Sequence, residues 1–387
     1  MPTLGGALAG QATSVATGDT TPLRGRRAVP VKWWAVAGAA WIALTVYVWS
    51  AWVFSGHVKA APKGPDVPPT WNIVMIRLWE VSMVIGTLLA LYHFVIKPWR
   101  RDGKPTFDGL MVLAFGVTWM IQDPLLNYSQ QWFNYSAEFV NLGCPQCHVP
   151  GWQGVNPELM AEPILFLWGM YFAVFLPWVM AVNWAMRKAK ERRPELGAFG
   201  TIMAGWAFAM IVDFVLEIAW MRSMTYSYAG SIDWLTIFHG HYYQFPVYEI
   251  VFGSAVVVAW ASLRYFKNDK GQSIAERGLE RLQATPRKQT GLRFLAIVGA
   301  VNVALLVCFT VPIQWFATHA DDYPDDIINR SYLTNMMCGP GTDYACAGTR
   351  VPIPGGPDSA HLTPEGELNA PAGVPDQSGD DPAGGDR

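Results

Sequence analysis

The segment "WWAVAGAAWIALTVYVWSAWVF", residues 33–54, contains no charged side chain. A helix that crosses a bilayer needs about 20 consecutive apolar residues, because it must span a hydrocarbon core of about 30 Å at about 1.5 Å per residue. A run of this length is therefore typical of a transmembrane helix rather than of a helix in a soluble core.

Further apolar runs follow along the chain. They lie at about residues 73–96, 110–128, 162–186, 198–221, 246–266 and 292–317. Hydrophobic residues make up 51% of the chain and charged residues only 15%, a balance that excludes an ordinary soluble domain. We therefore predict an all-α polytopic membrane protein with about seven transmembrane helices.

The lysines and arginines are concentrated at one end of these runs, and cytoplasmic connections retain such residues. Most of them lie before residue 33 or within residues 97–104, 187–193 and 264–293. The pattern predicts a cytoplasmic N-terminus and an exterior C-terminus. No nucleic-acid partner is expected.

The first apolar run is expected to act as a signal anchor rather than a cleavable signal. The chain is expected to divide into a disordered cytoplasmic arm (1–30), a transmembrane domain (31–318) and an exterior tail (319–387). The domain has exterior loops at 129–161 and 222–245, and the tail is rich in Pro, Gly and Asp and largely disordered from about 352.

Carboxyl side chains occur within the predicted spans, in the half nearer the exterior. They include Asp123, Asp213, Glu217 and Glu249. A charge at such depth costs on the order of 2 to 3 kcal/mol, so it is rare unless it faces a polar cavity or a partner. With little basic charge nearby, this cluster should include protonated members, which suit general acid catalysis. Structural ion pairs, or positions at the water interface, are the alternative interpretation.

Two exterior connections are dense in aromatic and amide side chains: "NYSQQWFNYSAEFVN" (127–141) and "TYSYAGSIDWLTIFHGHYYQFP" (225–246). Aromatic belts are common at membrane interfaces. Rings mixed with hydrogen-bonding amides also suit a pocket for a large, mostly apolar ligand. We therefore expect these loops to contribute to a binding site.

Several short motifs in and around these loops resemble one family. They are "QDPLLNY" (122–128), Phe133 and Tyr135, Asn141 and Gly143, "PGW" (150–152), Asn156-Pro157, "EP" (162–163) and "YQFPVYE" (243–249). Their order and spacing resemble the spirocyclase AveC-like family, actinobacterial multi-pass membrane proteins named for an enzyme of macrolide spiroketal biosynthesis. The resemblance runs from about residue 70 to 264, with matching hydropathy to about 317, and it implies the fold more firmly than the reaction.

The resemblance implies a cyclase or dehydratase of secondary metabolism that acts on a polyketide, terpenoid or lipid-like hydroxy-ketone. Spiroketal formation needs a protonated carboxyl to expel water, a carboxylate to stabilise the oxocarbenium ion or accept a proton, and a shaped apolar pocket. Asp123 and Glu249 lie within the family-like motifs and are the predicted catalytic residues, with Asp213 and Glu217 as partners. The predicted substrate-binding residues are Asn127, Tyr128, Tyr135, Asn141, Trp152, Glu162, Tyr243, Gln244 and Tyr248.

The cysteines allow other chemistry. Cys144, Cys147 and His148 form a C-x-x-C-H sequence, the spacing of c-type haem attachment. Cys338 and Cys346 lie in the tail, and on an oxidising exterior they can pair with each other or with the loop cysteines. A Zn site or free thiols are further alternatives. A haem would take its second axial ligand from Met160, His239 or His241.

His239 and His241 also support a separate metal hypothesis, since imidazole with nearby carboxylates suits Zn or Fe. Apart from these two possibilities, a c-type haem or a divalent metal, no cofactor is expected.

Three classes of function follow, all in a multi-pass protein of the cell membrane in contact with lipid. The first is a cyclase or dehydratase that acts by acid-base catalysis on a hydrophobic small molecule. The second is an electron-transfer protein with one c-type haem at Cys144, Cys147 and His148. The third is a proton-coupled transporter or lipid-binding protein whose carboxyls form a proton path.

Overall fold

The computed structural model describes residues 29–351 and 360–369. Nearly all of the predicted arm, and the tail segments 352–359 and 370–387, lie outside these ranges, so the disorder expected there stays a prediction. Within the described ranges the chain is mostly helical with a few two-residue strands, which confirms the all-α class.

The helices follow one another along the described chain. They are α1 (Pro30–Ser55), α2 (Thr70–Ala90), α3 (Lys97–Asp102), α4 (Phe107–Thr118), α5 (Ile164–Gly169), α6 (Phe175–Arg192), α7 (Ala198–Arg222), α8 (Val247–Tyr265), α9 (Pro286–Leu305), α10 (Val311–Ala317), α11 (Asp325–Ile328) and α12 (Ser331–Thr334). Short 3₁₀ helices occur at Pro124–Asn127, Pro145–His148, Pro157–Leu159, Asp233–Leu235 and Leu279–Arg281.

Three pairs of these helices are joined into long helices by π-helical segments. Leu91–Ile96 joins α2 to α3, Met170–Val174 joins α5 to α6, and Leu306–Thr310 joins α9 to α10. With α1, α7 and α8, they give six helices in the described chain that are long and apolar enough to cross a membrane. The shorter apolar helix α4 is the counterpart of the remaining predicted span.

Each π-helical segment lies just before a proline of the same long helix: Pro98, Pro177 or Pro312. Proline has no amide hydrogen, and its ring clashes with the carbonyl four residues earlier. Those carbonyls belong to residues 94, 173 and 308, which all lie inside the π-helical segments. Because the wider turn accommodates the clash, the long helices continue past their prolines.

The predicted span 110–128 is not one helix. Helix α4 ends at Thr118, the chain turns through residues 119–123, and the 3₁₀ helix Pro124–Asn127 follows. Pro124 cannot donate a hydrogen bond to the preceding turn, which explains the break. The broken backbone is surrounded by protein, the setting in which a membrane protein tolerates such a break, and it carries Asp123.

The two aromatic loops (129–161 and 222–245) are tied together by a small sheet. Strand β1 (Asn134–Tyr135) pairs antiparallel with β2 (Tyr226–Ser227), so that Tyr135 lies opposite Tyr226. The other two-residue strands also pair antiparallel. They are β3 (Thr236–Ile237) with β4 (Phe245–Pro246), and β5 (His361–Leu362) with β6 (Leu368–Asn369).

Residues 319–351, the tail layer, pack over these loops. The Tyr323 hydroxyl donates to the Gln131 carbonyl at 3.1 Å, and the Ala137 amide donates to the Tyr332 carbonyl at 2.8 Å. Cys338 and Cys346 form a disulfide within the layer. That bond confirms one of the predicted pairings and excludes pairing of either tail cysteine with the loop.

Candidate active site

A cavity of about 90 Å³ lies between the helices beneath the aromatic loops. Its wall contains four carboxyl side chains, Asp123, Asp213, Glu217 and Glu249, and four tyrosines, Tyr135, Tyr171, Tyr226 and Tyr228. The rest of the wall is Leu126, Phe133, Met170, Phe175, Trp178, Trp220, Gly253, Val256, Val257, Trp260, Leu305 and Phe309. No lysine, arginine or histidine is among the described residues that line it.

The four predicted catalytic carboxyls reach this cavity from three parts of the chain. Asp123 comes from the turn after α4, Asp213 and Glu217 lie one turn apart on α7, and Glu249 lies in the first turn of α8. Residues four apart share a helix face, as expected for the α7 pair. The structure thus brings together all four residues, although their catalytic roles stay predictions.

Three of these carboxyls form a compact group. Asp213, Glu217 and Glu249 each have an oxygen within 4.8 Å of the others. The Ser254 hydroxyl donates to Asp213 Oδ2 at 3.4 Å, whereas Glu249 Oε2 accepts no hydrogen bond from the described chain. A Cβ atom on Gly253 would lie only 2.8 Å from Glu249 Oε1, so glycine is what allows this approach.

Two tyrosine hydroxyls donate to Glu217. Tyr226 and Tyr228 reach Glu217 Oε2 at 2.6 and 2.8 Å. They are two residues apart in an extended segment that begins with β2, and side chains at that spacing point to the same side. Burial, together with the nearby Glu217 carboxyl, raises the pKa of both tyrosines well above the ordinary value, so that they stay neutral hydrogen-bond donors.

Asp123 has a second pair of tyrosine donors. The Tyr135 hydroxyl donates to Asp123 Oδ2 at 2.8 Å, and the Tyr171 hydroxyl donates to Oδ1 at 3.4 Å. Tyr135 belongs to β1, and Tyr171 lies in the π-helical segment Met170–Val174. Burial, with the nearby Asp123 and Glu162 carboxyls, raises the pKa of Tyr135 well above the ordinary value.

Stacked rings hold these tyrosines in place and cover the cavity. Tyr228 stacks between Trp132 and Phe245, with ring centroids 5.2 and 5.7 Å away, and Phe133 packs on Tyr226 at 5.1 Å. All five rings are buried. Aromatic pairs of this kind add stability beyond their buried area, which favours the observed positions of the Tyr226 and Tyr228 hydroxyls at Glu217.

The three predicted substrate-binding amides do not line the cavity. Asn127 Oδ1 accepts from the Trp132 and Phe133 amides at 3.1 Å, and Asn141 Oδ1 accepts from the Ala61 amide at 2.8 Å. Gln244 Nε2 donates to the Tyr228 carbonyl at 2.8 Å. These buried amides stabilise the loop backbone, and none is part of the cavity wall.

The predicted substrate-binding rings have similar structural contacts, with one exception. The centroids of Tyr128 and Trp152 are 6.0 Å apart, the Arg222 guanidinium lies 3.6 Å from the centre of Tyr243, and Tyr248 stacks on Phe316 at 4.1 Å. Glu162 is buried near Tyr135 without lining the cavity. Of the predicted substrate-binding residues, the cavity wall includes Tyr135 alone among the described side chains.

The two histidines proposed as metal ligands are not part of the carboxyl group. His239 Nδ1 lies 3.3 Å from Asp233 Oδ1 on the surface, and the exposed His241 ring stacks on Tyr243 at 4.9 Å. In the described chain, a group of three or more ligands with metal-binding spacing is found at Asp213, Glu217 and Glu249. Carboxylate oxygens suit a hard divalent cation, so these three residues could hold one. Metal binding at His239 and His241 stays a prediction.

The C-x-x-C-H sequence lies in the short helix Pro145–His148. Cys144 is buried in a cluster with Met160 and Met337, and the His148 ring lies 6.1 Å from that of His57. Burial and the facing His57 lower the pKa of His148. The side chain of Cys147 lies outside the described part of the structure, so haem attachment stays a prediction.

Sequence reasoning missed the apolar wall of the cavity, three of the tyrosines that donate to its carboxyls (Tyr171, Tyr226 and Tyr228) and the glycine beside Glu249, Gly253. For Tyr226 and Tyr228 a usable signal existed, because the Tyr-Ser-Tyr alternation is typical of a strand with both rings on one face. Nothing local in the sequence distinguishes Tyr171 from an interfacial tyrosine, or Gly253 from other helical glycines.

Comparison with known proteins adds one match. The family model described as spirocyclase AveC-like matches residues 99–333, which is more than half of the chain and includes all four carboxyls. No curated protein and no solved structure matches.

Proposed function

The chain belongs to the spirocyclase AveC-like family, and from that premise we propose that it is a cyclase or dehydratase of the cell membrane. It acts by acid-base catalysis on a polyketide, terpenoid or lipid-like hydroxy-ketone. The expected product is a spiroketal or a related dehydrated ring.

One observation carries this proposal: four carboxyls from three parts of the chain converge on a cavity that is otherwise aromatic and apolar, with no basic side chain on its described wall. A structural ion pair would need a cationic partner, and no described residue that lines the cavity is cationic. Carboxyls in such surroundings suit proton transfer to and from a bound substrate.

The chemistry of spiroketal formation fits this set of carboxyl, aromatic and apolar side chains. One substrate hydroxyl adds to the ketone to give a hemiketal, whose hydroxyl leaves as water after accepting a proton from a carboxylic acid. The oxocarbenium ion that forms is stabilised by a carboxylate and by ring faces. The second hydroxyl then closes the other ring and gives its proton to a carboxylate.

The surrounding rings have two roles in this account. They provide apolar contact for a hydrophobic substrate, and they limit water near the oxocarbenium ion, which water would otherwise capture. The haem and transporter hypotheses stay predictions. The tyrosine pairs that donate to the carboxyls favour the cyclase proposal.

The test uses the full chain reconstituted in lipid vesicles with a dihydroxy-ketone that can close to a spiroketal. Wild-type protein is expected to accelerate closure. Asp123→Asn and Glu249→Gln each lower the rate about 100-fold or more, because a carboxyl that transfers a proton, or one that stabilises the oxocarbenium ion, contributes at least about 100-fold.

Glu195→Gln is the matched control, because Glu195 is exposed between α6 and α7 and lies outside the cavity wall. It is expected to retain the wild-type rate. Unchanged rates in both Asp123→Asn and Glu249→Gln would contradict the proposal.

A further inference from the structure

Two of the four carboxyls, Glu217 and Asp123, each accept hydrogen bonds from two tyrosine hydroxyls, whereas Asp213 and Glu249 do not. The inference drawn from this difference rests on the proposed function and adds roles for the individual carboxyls. We infer that Glu217 and Asp123 act as carboxylates, each fixed by two tyrosine hydroxyls, and that Asp213 and Glu249 hold the proton that is given to the leaving hydroxyl. Tyr226 and Tyr228 are positioning residues, because they act through Glu217.

The first half of the inference rests on hydrogen-bond direction. A neutral tyrosine hydroxyl has one proton to donate, and donation to a carboxylate favours its charged form. Glu217 Oε2 accepts from Tyr226 at 2.6 Å and from Tyr228 at 2.8 Å. Two charge-assisted donors on one oxygen stabilise Glu217 as an anion.

Asp123 has the same arrangement with another pair of hydroxyls. Tyr135 donates to Oδ2 at 2.8 Å and Tyr171 to Oδ1 at 3.4 Å. The four donors come from β1, from β2 and the residue that follows it, and from a π-helical segment, and β1 and β2 are hydrogen-bonded to each other. One small sheet therefore positions a donor on each of the two carboxylates.

Hydrogen bonds stabilise the anionic forms of Asp213 and Glu249 less than those of Glu217 and Asp123. Asp213 Oδ2 accepts from Ser254 at the long distance of 3.4 Å. Glu249 shares the Tyr228 hydroxyl with Glu217, and its Oε2 accepts no hydrogen bond from the described chain. Their oxygens lie within 4.8 Å of each other and of Glu217, with no basic side chain on the described wall. Like charges this close disfavour double ionisation, so the pair is most stable with a proton between its members.

This division gives a proton cycle that balances. The Asp213 and Glu249 pair gives its proton to the hemiketal hydroxyl, the carbon-oxygen bond breaks and water leaves. The second substrate hydroxyl forms the new carbon-oxygen bond, and its proton passes to Glu217. Because Glu217 lies within 4.8 Å of both pair members, the proton returns to the pair and restores the starting state.

Infrared spectroscopy tests the division without substrate, so the outcome is independent of whether the chain catalyses cyclisation. The full chain in lipid vesicles at neutral pH should show the carbonyl band of a protonated carboxyl, which shifts in heavy water. The double variant Asp213→Asn/Glu249→Gln should lose this band, whereas Glu217→Gln and Asp123→Asn should keep it.

The tyrosine pair is tested by conservative variants. In Tyr226→Phe/Tyr228→Phe, Glu217 loses both hydrogen-bond donors, so a second protonated-carboxyl band should appear in the infrared spectrum. When substrate is present, the acidic limb of the pH-rate profile should move to higher pH, because Glu217 is then protonated more easily. The matched control is Tyr323→Phe, a buried tyrosine that donates to the Gln131 carbonyl and lies away from the cavity. The Tyr323→Phe variant should leave both the infrared spectrum and the pH-rate profile unchanged.

Three results would overturn the division: no protonated-carboxyl band in the wild type, loss of the band in Glu217→Gln, or a band that appears only after divalent cations are chelated. The Phe double variant keeps the test decisive if Asp213→Asn/Glu249→Gln does not fold. If the bands behave as expected while the chain cyclises no ketone, the division of protons stands and the proposed function fails.

Discussion

At the scale of single residues, Gly253 is a position where one added atom would directly contact the carboxyl group of the cavity. A Cβ atom there would lie 2.8 Å from Glu249 Oε1 and 3.5 Å from Asp213 Oδ2. Gly253→Ala should therefore push the Glu249 carboxyl aside. We expect about a 100-fold lower rate of cyclisation, the size of effect that follows a displacement of about 1 Å in an active site.

Gly291→Ala in α9 is the matched control, because a Cβ on that helical glycine would meet no atom within 4 Å. Initial rates in vesicles and thermal unfolding of both variants separate catalysis from stability. A wild-type rate in Gly253→Ala would show that the close approach of the two carboxyls is not needed.

The sequence identified the carboxyls of the site better than its other residues, for a physical reason. Asp213 and Glu217 stand out because charge within an apolar span is costly and rare. The sequence predicts that Asn127 and Gln244 bind substrate, yet a buried amide can equally well hydrogen-bond to a loop amide or carbonyl, and the structure shows those bonds. Tyr171 is uncharged, so its place in an apolar span is not costly and does not mark it in the sequence.

At the scale of elements, a buried hydrogen-bond network ties the turn that carries Asp123 to the last long helix. The Thr310 hydroxyl donates to Gln122 Oε1 at 2.9 Å, and Gln122 Nε2 donates to the Asn302 carbonyl at 3.1 Å. Gln314 Nε2 donates to the Leu125 carbonyl at 3.0 Å. These bonds satisfy polar groups that the break after α4 exposes.

Thr310→Val tests this connection. It keeps the side-chain shape but leaves Gln122 Oε1 without its donor, which costs about 1 to 3 kcal/mol at a buried site. We expect a lower unfolding temperature together with a lower rate of cyclisation, because the turn that carries Asp123 loses a support. Thermal unfolding and initial rates in the same vesicles measure both effects.

Thr201→Val is the control at this scale. Thr201 is buried in α7, and its hydroxyl donates only to the Gly197 carbonyl one turn earlier. We expect it to have little effect on rate. Equal rates in Thr310→Val and Thr201→Val would show that the network does not position Asp123.

Element boundaries were predictable where apolar length alone decides them. Runs such as 33–54 and 198–221 became α1 and α7 with small differences at their ends. The prolines were harder to interpret, since Pro177 lies within a continuous helix whereas Pro124 follows a break. The difference depends on whether a π-helical segment precedes the proline, and no short sequence pattern reveals that.

At the scale of the whole molecule, two layers lie over the cavity. The aromatic loops form the first, and the tail layer packs on them, with Asn335 Nδ2 donating to the Tyr135 carbonyl at 3.1 Å. The packing of residues 319–351 was not predicted, because it depends on contacts between distant parts of the chain. Such a cover favours ring closure over capture of a cationic intermediate by water.

If the carboxyl cavity catalyses ring closure, it determines both the rate of closure and the stereoisomer ratio of the spiroketal, and one experiment measures the two together. Wild-type protein in vesicles is predicted to give one stereoisomer faster than the uncatalysed reaction. The double variant Asp213→Asn/Glu249→Gln is predicted to give the uncatalysed rate and isomer mixture. A double variant that matches the wild type in rate and stereochemistry would contradict the claim.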